Sequence, residues 1–146
     1  MNDTVRFVAK GSAHVTVPTQ AEPISVSFVL LPKFTMLAFS SAIEPLRLAD
    51  QWPGQVLFRW QVLSDDGGPV VCSNGVPVMV DGAWADTKPE GMILVVSGVE
   101  PEGKASVALG DWLRGLWRRG RVVGGLCTGA YALAQARTTD GVALFV

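Results

Sequence analysis

The sequence predicts an α/β domain, an open and mostly parallel sheet with helices on both faces, and three observations carry that prediction. β-rich apolar runs with little polar alternation recur at Ile24 to Leu31, Gly91 to Gly98 and Arg121 to Leu126, the pattern of strands buried on both faces. Segments with helical spacing of apolar residues follow these runs, as the crossovers between parallel strands require. The last run passes through paired glycines directly into an alanine-rich stretch, a strand-to-turn-to-helix passage.

Residues 1 to 22 read as an N-terminal extension, because Gly, Ser, Thr and Pro are mixed there without period; the domain proper is expected over 23 to 146. "ISVSFVLL" is the first strand. After the turn Pro32-Lys33-Phe34-Thr35, "MLAFSSAIEPLRLADQW" places Leu37, Ile43, Leu46 and Leu48 near helical spacing, with Pro45 marking a kink or a break. "QVLFRWQVLS" alternates and is a second strand with one face less fully buried, ended by Asp65-Asp66-Gly67-Gly68-Pro69. "PVVCSNGVPVMVDG" reads as a hairpin off the main sheet, turning at Ser73-Asn74-Gly75, since Asn-Gly accepts the positive φ of a tight hairpin. "GMILVVSG" is the third strand, and "KASVALGDWLRGLWRRG" is the helix after it. In that helix Val107, Leu109, Leu113, Leu116 and Trp117 are the residues that can face a sheet. "RVVGGL" is the fourth strand.

Composition narrows the function. Twelve basic against thirteen acidic side chains, in 146 residues, leave no charge surplus of the kind that marks a nucleic-acid or acidic-membrane footprint. The arginines Arg114, Arg118, Arg119 and Arg121 cluster near a helix end, where cations oppose the macrodipole and are solvated. No apolar run approaches the ~20 residues of a membrane span, and the N-terminus lacks a secretory pattern, so a cytoplasmic protein is expected. Cys72 and Cys127 are then expected to be reduced, Cys72 as an ordinary thiol in a polar turn.

Cys127 differs. Gly125-Leu126-Cys127-Thr128-Gly129 has the spacing of a nucleophile elbow with cysteine in the serine position, and the small flanking residues allow the sharp turn. In an open α/β sheet that turn lies at the carboxyl ends of the strands, where ligands bind. A cysteine enzyme also needs a proton carrier, normally histidine. The only histidine is His14, in the extension; Thr128 is no base, and its hydroxyl is expected to help cap the next helix. Glu44 is a candidate site carboxylate, although a local pair with Arg47 is the simpler expectation. The Ser97-Gly98 turn is expected to offer backbone N–H groups to an oxyanion or a bound carboxylate beside Cys127.

The blocks "FVLLPKFTMLAFSSAIEPLRLAD", "FRWQVLSDDGGPVVCSNGVPVMVDG", "ILVVSG" and "RRGRVVGGLCTGAYALAQA" together resemble the N-terminal domain of GlxA-type regulators of the AraC family. That domain is PfpI-like, with the flavodoxin-like fold of class I glutamine amidotransferases. The resemblance covers residues 24 to 141, with "EPLRLA", "DGGPV…SNG" and "GLCTGA" as its most specific motifs. It implies a ligand-sensing and dimerising domain that takes a small nitrogenous metabolite, an amino acid or a quaternary ammonium compound, in a pocket formed by Cys127, Thr128, Gly98, Ser97 and Glu44. It implies neither cofactor nor metal.

The same resemblance argues against catalysis. PfpI-type enzymes carry a histidine directly after the elbow cysteine and a glutamate of the first helix beside the thiol; the matching positions here are Thr128 and Ala38. The alternative is a PfpI-type cysteine hydrolase or glyoxalase-like enzyme using Cys127, and an oxidisable sensor thiol is a third reading. Such regulators continue past "ALAQA" into further sheet elements and a helix-turn-helix domain that touches DNA. Here "RTTDGVALFV" keeps Asp140 and Gly141 and ends at Val146, so the resemblance implies a C-terminally incomplete fold with the DNA-binding domain absent.

Overall fold

The computed structural model describes residues 22–51 and 56–136; His14, most of the expected extension and the Asp140-Gly141 segment lie outside the described residues. The chain forms β1 (Ile24–Leu30), α1 (Met36–Gln51), β2 (Phe58–Ser64), β3 (Val70–Val71), β4 (Pro77–Val78), β5 (Gly82–Ala83), β6 (Met92–Val96), α2 (Val107–Arg118), β7 (Val122–Leu126) and α3 (Gly129–Gln135). Five strands make one open, all-parallel sheet in the order β5-β2-β1-β6-β7. β3 and β4 form the expected antiparallel hairpin as a separate two-stranded sheet.

Strand β5 was not expected. It extends the sheet through Leu63↔Gly82 and Ser64↔Ala83, and a two-residue strand is too short to show a period. A single 3-10 turn at Trp84–Asp86 follows it, burying Trp84.

Side-chain alternation along the strands divides the core into two layers. Val29, Ile93, Val95 and Val123 meet Leu109, Leu113 and Leu116 of α2 and Ala132 and Leu133 of α3 on one face. Val26, Phe28, Leu30, Leu94 and Val96 meet Phe39 of α1 and Val70 and Cys72 of the hairpin on the other. Ser106 caps α2, its hydroxyl accepting from Leu109 N–H at 3.1 Å.

Helix α1 runs through Pro45 as one element, and its buried face differs from the expected one. Leu37 and Leu48 are 74% and 54% exposed, whereas Phe39, Ala42, Ile43 and Leu46, at positions i, i+3, i+4 and i+7, pack against the sheet. In α2 the three leucines are buried as expected, but Val107, in the first turn, is 83% exposed. Cys72, expected as an ordinary thiol in a polar turn, is buried at the end of β3 with its Sγ donating to Asn74 Oδ1.

Candidate functional site

The chain moves from β1 outward to β2 and then returns to place β6 on the other side of β1, so the strand order reverses between β1 and β6. Ligand sites in open α/β sheets lie beyond the carboxyl ends of strands at such a reversal. Register makes the ends level: Leu30 pairs with Val96, and Val96 pairs with Leu126. The turns that follow, Pro32 to Thr35, Ser97 to Glu100 and Cys127 to Thr128, therefore meet at one edge.

The elbow is built by steric necessity. Cys127 is exposed and takes φ +53°, a left-handed conformation that costs a non-glycine residue energy. A Cβ on Gly125 would stand 2.4 Å from Ala130 N, and one on Gly129 would stand 2.0 Å from Val95 O. Both positions must be glycine for α3 to start this close to β6 and β7.

The opposing loop is held just as tightly. Lys33 N–H donates to Val71 O and Phe34 O accepts from Ser73 N–H, both at 2.9 Å, so the hairpin grips the β1–α1 turn from one side. On the other side Thr35 N–H donates to Ser97 O at 3.3 Å and Val99 N–H to Lys33 O at 3.1 Å. A Cβ on Gly98 would lie 2.3 Å from Lys33 O, so this contact too requires glycine. Phe34, fully buried, anchors the turn through an edge-on contact with Phe39 at 5.8 Å.

This clamp delivers Thr35 to the thiol: Thr35 Oγ1 and Cys127 Sγ are 3.5 Å apart, and either can donate. Thr35, in the β1–α1 turn, is the residue that meets the cysteine from the β1 side. Its pattern in the sequence is only that of a turn residue; the signal that finds it is its place at the carboxyl end of β1, level with the elbow.

Thr128 departs from the expected cap. It holds the N-cap position of α3 but makes no side-chain cap bond; its Oγ1 donates instead to Gly98 O at 2.6 Å, tying the elbow to the β6 turn. That bond wins because the acceptor is a carbonyl on the neighbouring strand's turn, in reach only once the sheet forms.

Of the other expected site residues, Ser97 and Gly98 border the elbow, and Glu44 does not join them. Ser97 N–H reaches Leu126 O at 3.5 Å, so this amide is engaged by the sheet end. Ser97 Oγ is fully buried and has no hydrogen-bond partner among the described residues. Glu44 accepts from Arg47 Nε at 2.9 Å and Nη2 at 2.6 Å on the exposed side of α1, and that hydrogen bond holds its carboxyl below its ordinary pKa. Nine residues separate it from Thr35, about 13 Å along a helix.

Two further residues at this edge were not foreseen. Lys33 at φ +60° and Glu100 at φ +55° join Cys127 as the non-glycine residues with positive φ among the described residues. Their side chains form an ion pair of 2.5 Å across the β1 and β6 turns. Hydrogen bonding to Lys33 holds the Glu100 carboxyl below its ordinary pKa, with a smaller contribution from Lys104. Strained residues gathered at one edge mark a place where surrounding structure dictates backbone shape.

Chemically, the thiol faces a hydroxyl. Among the described residues no imidazole or carboxylate is hydrogen-bonded to Cys127, and no group of His, Cys, Asp and Glu is placed to hold a metal. Nor is any described helix long and apolar enough to cross a membrane.

Comparison with known proteins agrees with this geometry. The family model of the DJ-1/PfpI family matches residues 25–144. The HTH-type transcriptional regulator CdhR of Pseudomonas aeruginosa is 47% identical over 114 residues, covering 78% of this chain and 34% of that protein. The HTH-type transcriptional regulator GlxA of Rhizobium meliloti is 34% identical over 120 residues, covering 79% of this chain and 36% of that protein. The chain thus spans about a third of the length of these curated relatives. An AraC family transcriptional regulator from Pseudomonas putida, known by crystal structure, superposes with a TM-score of 0.74 at 28% identity, over 82% of this chain and 64% of that one. With the fold, the elbow and the matched span in agreement, the chain belongs to the DJ-1/PfpI family, and its similarity runs to the copies of that domain carried by transcriptional regulators.

Proposed function

We propose that this domain is the ligand-sensing and dimerising part of a cytoplasmic AraC-type transcription regulator, and that it is not an enzyme. The observation that carries the proposal is the surrounding of the elbow thiol: Thr35 at 3.5 Å and Thr128 turned away to Gly98 O, neither able to take a proton at neutral pH. The elbow is retained as architecture, because Gly125 and Gly129 lock α3 onto β6 and β7 whatever the thiol does.

The ligand is a small nitrogenous metabolite of the amino-acid or quaternary ammonium class, bound where the β1, β6 and β7 turns meet, with Cys127, Thr128, Gly98 and Ser97 as the floor. Glu44 is left out of that floor by its pairing with Arg47. DNA contact belongs to a helix-turn-helix domain of the kind for which the HTH-type regulators CdhR and GlxA are named. No cofactor is invoked.

A thermal-shift panel of amino acids, betaines and carnitine-like compounds tests the sensor. A ligand that binds only the native state raises stability by about 2.7 kcal/mol at a hundred times its Kd. Stabilisation by none of the classes would count against it. The PfpI-type hydrolase or glyoxalase-like alternative gains if an activity is found that Cys127→Ser abolishes with the fold intact.

A further inference from the structure

The tip of the β3–β4 hairpin carries Asn74, exposed and followed by Gly75, which is exposed with φ +88°. A Cβ on Gly75 would meet nothing within 4 Å, so the approach to its main-chain nitrogen is open. Asn74 is the only asparagine among the described residues.

The side-chain amide of Asn74 is held in one orientation. Its Oδ1 accepts from Val76 N–H at 3.0 Å and from the Cys72 thiol, while its Nδ2 makes no hydrogen bond among the described residues. Two donors on a carbonyl oxygen draw electron density from its carbon, and they stabilise the negative charge that nucleophilic attack would place on that oxygen. The nucleophile next along the chain is Gly75 N. Its N–H donates to Cys72 O at 3.0 Å and must be released first. One hydrogen bond in an exposed turn favours the closed form by a factor of about ten at most, so the turn opens often.

We propose that Asn74 is a site of spontaneous modification whose product loosens the elbow. Gly75 N attacks Asn74 Cγ; the new N–Cγ bond closes a succinimide ring, the Cγ–Nδ2 bond breaks, and ammonia leaves with the proton from Gly75 N. Water, the one co-reactant, then opens the ring. Addition at Cγ gives aspartate, and addition at the Asn74 main-chain carbonyl carbon gives isoaspartate, whose main chain is longer by a methylene. Nothing is oxidised or reduced. Aspartate keeps an oxygen where Oδ1 stood and preserves the turn. Isoaspartate lengthens the turn beside the two bonds that grip the β1–α1 loop, Ser73 N–H to Phe34 O and Lys33 N–H to Val71 O. That loop carries Thr35 to Cys127, so the hydroxyl is displaced from the thiol.

The test is to hold the 146-residue chain in warm, mildly alkaline buffer, folded and in urea, and to follow residue 74. Peptide mass mapping reads the exchange of NH for O, and methylation by an isoaspartyl methyltransferase reads isoaspartate. Conversion in the folded chain is expected within about tenfold of the rate in urea, rising with pH because Gly75 N must lose its proton. Asn74→Gln, which would need a larger ring, should stay unconverted. Conversion in urea alone, or a folded rate more than about tenfold lower, overturns the proposal. The link to the elbow is read by alkylation of Cys127, with circular dichroism confirming that each sample is folded. The isoaspartate-enriched chain should react at least about twofold faster than fresh chain, and Asn74→Asp should match fresh chain. Equal rates in all three overturn the link.

Discussion

Adding one methyl group at Gly129 is the sharpest perturbation of the elbow. The new Cβ would stand 2.0 Å from Val95 O and 2.9 Å from Val95 C, against the 3.4 Å at which ordinary contact begins. The shortfall is 1.4 Å, and the obstructing atom is a main-chain carbonyl. It cannot rotate aside, because Val95 is paired with Val29 on one side and Gly125 on the other. Overpacking that side chains can absorb costs about 1 to 3 kcal/mol. Here α3 must lift from β6, so Gly129→Ala should lose about 3 kcal/mol, which in a domain of this size lowers Tm by roughly 6 to 12 °C. The matched control is Gly82→Ala, where a Cβ meets nothing within 4 Å and φ is not positive; its Tm should stay within about 2 °C of wild type. Thermal and urea denaturation followed by circular dichroism read both. If Gly129→Ala melts together with Gly82→Ala, the elbow is not held by this contact and the steric reasoning fails.

Thr128→Val keeps the side-chain shape but leaves the buried Gly98 carbonyl without its 2.6 Å partner, so urea midpoints should report a loss of about 1 to 2 kcal/mol. An unchanged midpoint would mean that water replaces the hydroxyl freely. The Lys33–Glu100 pair predicts a pH dependence of definite sign: the folded-state pKa of Glu100 is lowered, chiefly by the hydrogen bond from Lys33. Its contribution is fully present above the ordinary glutamate range and disappears as pH falls through the lowered value. Lys33→Met should therefore melt slightly below wild type at neutral pH and together with it in strong acid. A gap that widens on acidification would contradict the assignment; because the pair is exposed, the neutral-pH gap is expected to be small.

The parts of this molecule legible in the sequence are those governed by local pattern. β6 and β7 are uninterrupted apolar strands and β1 is broken only by Ser25 and Ser27, and the burial of their central residues on both faces follows from that. The elbow is equally legible, because its glycine spacing is a steric demand written into consecutive residues. The facing of helix α1 is not legible locally: it is apolar on more than one side, so Leu37 and Leu48 fit a stripe as well as Phe39 does until the sheet selects one. Contacts that depend on strands ending level have no local trace. Thr35 beside Cys127, Thr128 on Gly98 and the Lys33–Glu100 pair join residues 92, 30 and 67 positions apart, and only the register brings them together.

The central claim, that the elbow cysteine is a pocket floor without chemistry, is tested most directly by recovering the ligand. The compound giving the largest thermal stabilisation is incubated with wild-type chain and with Cys127→Ser for a day, and the free and bound pools are read by NMR. The account predicts that both proteins return the compound unchanged and bind it equally. Conversion of the compound by wild type, absent in Cys127→Ser, would contradict it.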